Sequence, residues 1–390
     1  MNNIKQLSKA DYEAIFDLSQ FAFQYVLSPE EMKKKREEAE RHIIWGWMEE
    51  ETLAAKVHLI PLSCYILGKE FEMGGISAVA TWPEYRRKGM VKHLLKHALQ
   101  YMRKQGQTIS YLHPFSIPFY RKFGWELAFA EKAYTIPMKL LRKQWNGVGY
   151  VRRENQPISL LHPVYTAYAK GFSGMLVRDL KWWEQRILKK DAQIAVAYND
   201  KGEAEGYVMY DVKDKKLTVQ DMASTSLNGR KLLLQFLANH DSMAENVEMV
   251  VSERDQLDLI VDEPIYEQKV QPYFMARIVD VAAFLKQYPF TTLEKSCHVS
   301  LIVEDEFLPE NNGVYHIKVK SNESTVTYVK AVSEQTQGIH CSVQTLAAIM
   351  LGYKRPVDLY GMEKLKGSKE AIEKLEQIVP LQEAFFADYF

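Results

Sequence analysis

Three consecutive basic side chains followed by a glycine, Arg86-Arg87-Lys88-Gly89, stand between an apolar run, Ile76-Ser-Ala-Val-Ala-Thr81, and a helix-patterned stretch that begins at Met90. That arrangement suits a pyrophosphate. The first N–H groups of a helix have no internal partner, and the helix dipole places about half a positive charge at that end. Gly89 lets the backbone approach phosphate oxygens with no Cβ in the way, while Arg86, Arg87 and Lys88 add charge-assisted donors. The two common glycine-rich phosphate patterns do not apply, because one lacks its second glycine here and the other lacks its Lys-Ser/Thr.

The elements around this turn read as strand, turn, helix, strand, which makes a βαβ unit with a parallel pair. Residues 9–49 read as helical, with Ala14, Leu18, Phe21 and Tyr25 at helical spacing and a break at Pro29. In Lys33-Lys34-Lys35-Arg36-Glu37-Glu38, acids follow the bases closely, so the run reads as a solvated helix face with i,i+4 ion pairs. Residues 52–81 read as strands, with Gly74-Gly75 as a turn or bulge. A strong amphipathic helix spans 90–104 and stops at Gly106; a strand at 108–112 and a short helical piece near 119–123 follow. Residues 1–150 thus read as one α/β domain. Residues 151–280 repeat the texture more weakly and read as a second copy of the fold. Residues 281–390 differ, with strands first and helices near 343–350 and 362–377.

The chain has 390 residues, 47% apolar and 26% charged, which is globular composition for two or more domains. Fifty basic and fifty acidic residues cancel, which argues against nucleic acid or an anionic membrane as a partner. Three dispersed cysteines, Cys64, Cys297 and Cys341, match no metal spacing, so neither a metal nor a disulfide framework is expected. The N-terminal MNNIKQLSK lacks the apolar core of a signal peptide, and a cytoplasmic protein is expected.

The turn resembles the acetyl-CoA loop of the GNAT N-acetyltransferases, Q/R-x-x-G-x-G/A, at Arg86 and Gly89, with Val91 replacing the last small residue. Leu112-His-Pro-Phe-Ser-Ile-Pro-Phe-Tyr120-Arg-Lys-Phe-Gly-Trp125 is similar to the family's F-Y-x-x-x-G-[FYW] element. The three textures resemble the Eis branch in particular. That resemblance implies a catalytic GNAT domain, a degenerate GNAT domain and a C-terminal α+β domain similar to sterol carrier proteins. It implies acetyl transfer from acetyl-CoA to a primary amine of an aminoglycoside, a polyamine-like molecule or a lysine. It also implies a homohexamer. By the same resemblance, the backbone of Val79, Ala80 and Thr81 holds the thioester arm, and Arg87, Lys88, Gly89, Met90, Val91 and Lys92 hold the pyrophosphate. Phe115 and Ser116 flank the pantetheine, and Tyr120 protonates the departing sulfur.

The attacking amine must first lose a proton. Residues 76–81 hold no carboxylate, Glu72 lies upstream, and His113 reads as a loop or core histidine. The Eis resemblance supplies the terminal carboxylate of Phe390 as the base. The tail Ala384-Phe-Phe-Ala-Asp-Tyr-Phe390 fits that role: its aromatics favour docking, and a carboxylate carried into an apolar site becomes a stronger base. Asp388, Phe21, Phe23 and Tyr25 are candidate walls for the acceptor. The alternative is a lipid- or acyl-binding protein, which requires a large apolar tunnel within 281–390.

Overall fold

The computed structural model describes residues 3–155, 158–188, 192–321, 323–330 and 337–390, so Met1 and Asn2 of the N-terminal stretch lie outside the described residues. The chain opens with β1 (Ile4–Leu7), helices α1 (Tyr12–Phe23) and α2 (Pro29–Ala39), and strands β2 (Ile43–Glu49), β3 (Thr52–Ile66) and β4 (Lys69–Thr81). Helix α3 (Met90–Lys104), β5 (Ile109–Leu112), α4 (Ile117–Arg121), β6 (Glu126–Leu127) and β7 (Ala130–Pro137) follow. The middle of the chain carries β8 (Tyr150–Glu154), β9 (Gln193–Tyr198), β10 (Ala204–Lys213), β11 (Lys216–Ser224), β12 (Asn246–Val251), β13 (Glu267–Pro272) and β14 (Met275–Ile278). The last part adds β15 (Cys297–Glu304), β16 (Gly313–Lys320), β17 (Glu323–Val329) and β18 (Ile339–Ser342), then helices Val343–Met350, Pro356–Gly361 and Lys369–Ile378.

Three sheets result. The first has order β1-β2-β3-β4-β5-β14-β6, the second β13-β7-β12-β11-β10-β9-β8, and the third β17-β16-β15-β18. The βαβ unit is present, with β4 and β5 parallel and α3 between them in the chain. Met90, Leu94, Leu95, Ala98, Leu99 and Met102 form the buried stripe of α3, and Gly106 (φ 77°) ends it. The first two sheets exchange strands. β7 leaves the stretch that builds the first sheet and pairs with β12 and β13; β14 returns to lie between β5 and β6.

Three local readings are corrected. Residues 43–49 are a strand and not the end of a helix: IIWGWME is rich in β-branched and aromatic side chains and pairs antiparallel with both β1 and β3. Pro29 does not break a helix but starts one. It occupies the first turn of α2, where Ser28 and Glu31 form a reciprocal capping box. Gly74-Gly75 is no turn either. The chain reverses at Leu67-Gly68, and the two glycines lie inside β4 because their neighbours leave no room. A Cβ on Gly74 would stand 2.6 Å from the Met102 sulfur, and one on Gly75 would stand 2.7 Å from the Phe390 ring. Among the described residues, no helix is long and apolar enough to cross a membrane.

The third sheet is tied to the first through a buried ion pair. Arg277 on β14 donates to Asp305 (2.5 Å) and to the Phe123 carbonyl, and Asn311 also donates to Asp305. Removing one partner of such a pair strands the other charge in the core, at a cost of about 3–5 kcal/mol. Asp305→Ala is therefore expected to lower the unfolding free energy by about that amount, measured as a shift in the urea midpoint.

Candidate active site

Strand β4 outlasts its partner. Its pairing with β5 ends at Ile76 opposite Leu112, whereas β4 continues to Thr81. From Ser77 onward, among the described residues, the β5 side of β4 carries backbone groups with no strand against them. Such an edge can receive the amide arm of an extended ligand. On its other side β4 pairs with β3, and the register shifts between Lys56 and His58, opposite Ala80 and Ser77. Ala78 sits at this bulge with φ 48°, a left-handed conformation held by a hydrogen bond from the Lys56 ammonium to its carbonyl (3.0 Å).

The basic turn follows directly. Arg86 Nε donates to the Thr81 carbonyl (3.3 Å), and Arg87 (φ 63°) and Gly89 (φ 80°) both adopt left-handed conformations. Gly89 is the N-cap of α3, and no side chain caps it, so the first amides of this fifteen-residue helix are free for an anion. Arg86, Arg87, Lys88, Gly89 and Lys92 are exposed. Met90 belongs to the core and Val91 packs against it, so the bulk of Val91 is turned inward.

Beside the open edge lies a cavity of about 620 Å³. Of the residues expected from sequence, Val79, Phe115, Tyr120 and Phe390 line it together. The Ala80 side chain is instead in the core on α1, and Ser116 stands at the N-cap of α4 with no capping hydrogen bond from its side chain. Tyr120 is buried against Phe115, Phe119 and Trp125; burial pushes its phenol upward, which keeps it protonated and able to donate. No hydrogen bond acts on its hydroxyl among the described residues, and Tyr120 lines the cavity.

The C-terminal tail is docked. Ala384 forms a bridge with Ser173, Phe386 joins the core beside Phe274, and Phe390 is 5% exposed, packed on Phe274 and against Gly75. Asp388 is not an acceptor wall but the anchor. Arg178 Nε donates to it at 3.0 Å, Trp182 Nε1 at 2.7 Å, and the Tyr273 hydroxyl donates to its backbone carbonyl. Burial pushes the Asp388 carboxyl up, opposed by the Arg178 guanidinium and the indole N–H. Of the other candidate walls, Phe23 and Tyr25 line the cavity, whereas Phe21 turns to stack on Trp82. His113 lines the cavity, and its ring packs at a 60° tilt against Tyr389.

Several lining groups escaped the sequence reading. The charged run of α2 is not merely solvated: Lys35 and Glu38 pair at i,i+3, Arg186 joins Glu38 at 3.1 Å, and all three face the cavity. His42 and His58 also line it, with Lys56 behind them. The available signal was two polar residues, Lys56 and His58, inside the otherwise apolar run of β3. Burial lowers the Lys56 ammonium to about 7. His42 is lowered to about 3 by burial and then by Arg186 and Arg41.

Because folding favours the neutral Lys56 amine, the unfolded chain binds the extra proton between about pH 7 and the ordinary lysine range. The penalty is present in full below pH 7 and is relieved as pH rises toward 10.5. Lys56→Met is expected to raise the unfolding free energy by roughly 3 kcal/mol more at about pH 6 than at about pH 9, read from denaturant curves at the two pH values.

Residues 3–128 and 174–278 each match the family described as acetyltransferase (GNAT) domain, and residues 281–387 match the sterol carrier protein domain. No curated protein matches the chain. A conserved protein of Enterococcus faecalis, described as a probable N-acyltransferase, superposes with a TM-score of 0.92 at 27% identity, covering 99% of each chain. A GCN5-related N-acetyltransferase of Anabaena variabilis gives 0.88 at 24% identity, covering 99% of this chain and 100% of that one. Eis1 of Mycobacterium abscessus shares the fold over 100% of both chains, with a TM-score of 0.82 at 18% identity. The chain is an acyltransferase and belongs to the GNAT acetyltransferases, with two GNAT domains and a sterol carrier protein domain in the Eis-type fold.

Proposed function

We propose that the protein transfers an acetyl group from acetyl-CoA to a primary amine by direct attack on the thioester. The observation that carries this reading is that Tyr120 and the terminal residue Phe390 line one cavity beside the open edge of β4. In this reading the pyrophosphate rests on Arg86 to Lys92 at the start of α3, and Val79, Ala80 and Thr81 hold the thioester arm through their backbone. Phe115 and Ser116 flank the pantetheine. The Phe390 carboxylate takes a proton from the nitrogen as it bonds to the carbonyl carbon, and the Tyr120 phenol gives one to the departing sulfur. Residues 1–150 supply the catalytic unit, 151–280 the support for the tail, and 281–390 the tail itself.

The acceptor is an amine carried on an apolar body. Phe16 and Phe23 of α1, with Tyr25 and Leu27 after it, give the cavity an aromatic and apolar wall, and the charged lining sets Lys35 and Arg186 against Glu38 and, in this reading, the Phe390 carboxylate. That wall favours a monoamine or a lysine side chain over an aminoglycoside or a polyamine, whose several positive charges need an excess of carboxylates. Lipid binding by the third unit is less well supported, because buried Leu301, Tyr315, Leu346 and Leu375 occupy the interior between its sheet and helices. The reading includes a cytoplasmic homohexamer. Val250, Ile265 and Val270, exposed at and beside the edge of the second sheet, offer apolar surface for a neighbouring copy, and sedimentation velocity would report it.

Thiol release from acetyl-CoA in the presence of a primary amine tests the activity. Tyr120→Phe is expected to lower kcat about 100-fold while leaving the KM for acetyl-CoA nearly unchanged. Extending the chain beyond Phe390 is expected to lower turnover without changing the thermal midpoint. Full turnover in the extended chain would remove the terminal carboxylate from the mechanism.

A further inference from the structure

Three nitrogen-bearing side chains lead away from the acceptor cavity in an unbroken line. His42 Nδ1 and His58 Nδ1 are 3.2 Å apart, and His58 Nε2 is 3.1 Å from Lys56 Nζ, which is fully buried and also donates to the Ala78 carbonyl. His42 and His58 open on the cavity; Lys56 does not. We propose that His42, His58 and Lys56 form a proton relay that takes the first proton from the incoming ammonium, leaving the terminal carboxylate to take the second. The inference rests on acetyl transfer to an amine and adds to it a group that neither the tail nor Tyr120 supplies.

Proton arithmetic makes the case for a second acceptor. An ammonium carries three N–H bonds and the amide product one, so two protons leave the nitrogen. One must leave before attack, because a protonated amine has no lone pair. The second leaves as the C–N bond forms; it goes to the terminal carboxylate and from there restores the Tyr120 phenol, which has given its proton to the CoA sulfur. The first needs its own destination. In the receptive state Lys56 is a neutral amine, His58 carries its hydrogen on Nε2 and donates to Lys56, and His42 carries its hydrogen on Nδ1 and donates to His58. The free Nε2 of His42 accepts the substrate proton. Each imidazole passes its other hydrogen along, and the proton arrives on Lys56. No net charge stays on either imidazole, and the relay resets when the proton returns through the chain to water after product leaves.

The surroundings suit the roles. Burial holds Lys56 near neutrality, so at physiological pH it can accept a proton and release it again. His42 is faced by Lys35, Arg41 and Arg186, with Glu38 bound between Lys35 and Arg186; His58 is faced by Lys56 and His42. Burial first, and for His42 the neighbouring Arg186, Arg41 and Lys35 as well, keeps both imidazoles neutral, as carriers that pass a proton without storing it. If the lysine served only to hold the Ala78 bulge, it would need no imidazole in line with it.

Two measurements decide the matter. With acetyl-CoA and 2-phenylethylamine as probe, His58→Gln is expected to lower kcat about 100-fold, with the KM for acetyl-CoA unchanged, since glutamine can fill both hydrogen bonds but cannot pass a proton. Added imidazole is expected to restore turnover to His42→Ala. Wild-type kcat and pH profile in His58→Gln would overturn the relay while leaving acetyl transfer intact. The second measurement uses the unmodified protein without substrate. In 15N-histidine spectra, His42 and His58 are expected to exchange tautomers together as pH crosses about 7, and Lys56→Met is expected to abolish that exchange. Tautomers that stay fixed from about pH 6 to about pH 9, or that still switch without Lys56, would overturn the relay. If the unmodified protein shows no transfer to any amine, acetyl transfer fails as a function, and the tautomer measurement still judges the chain of proton carriers.

Discussion

The contact between Arg178 and Asp388 holds the C-terminal tail against the cavity. Both groups are buried, and each would be prohibitively costly alone in a low-dielectric interior. Together they are compensated: the guanidinium also reaches Asp221 on β11 at 2.7 Å and lies 3.9 Å over the Tyr165 ring, while the carboxylate accepts from Trp182. A partly docked tail would break this arrangement and strand a charge, so docking is cooperative. Phe390 stands two residues beyond the anchor, and its position in the cavity follows from Asp388 being held on its side chain and its backbone alike.

The same logic explains why the protein needs all three parts. The first sheet is incomplete without β14, which arrives after the whole second sheet has been built. The second sheet is likewise incomplete without β7. Arg178, from the middle of the chain, holds a tail that comes from the end of it, and Arg277 joins β14 to the third part through Asp305. Relative motion among the parts is restrained by strand pairing and buried charge together, which suits a cavity whose lining residues come from α1, α2, β3, β4, α4, the segment around Arg186 and the tail.

At the cavity and behind its wall, burial moves two titratable groups in opposite directions. The phenol of Tyr120 is pushed up and stays a donor, while the Lys56 ammonium is pushed down toward a neutral acceptor. One cause, removal from water, acts in opposite directions because one group is charged when deprotonated and the other when protonated. Lys35 and Arg186 flank Glu38 in the lining, with aromatic side chains beside them.

Local chemistry made much of this legible from residues alone. The turn Arg86-Arg87-Lys88-Gly89 before an amphipathic helix is a short-range pattern, as is the helical piece that presents Tyr120, and both depend on neighbours within a few residues. The apolar tail announced that it must be covered, since exposed aromatics are costly. Residues 43–49 were misread because a short apolar run satisfies helix and strand periods alike, and only its pairing with β1 and β3 selects the strand. Gly74-Gly75 resembled a turn because nothing nearby in the chain shows that Met102 and the Phe390 ring occupy the space of their missing side chains. The exchange of β7 and β14, the pairing of Arg178 with Asp388 and the line from His42 to Lys56 were decided by tertiary structure. Each joins groups whose attraction exists only once water has been excluded, and exclusion of water belongs to the folded chain rather than to any segment of it.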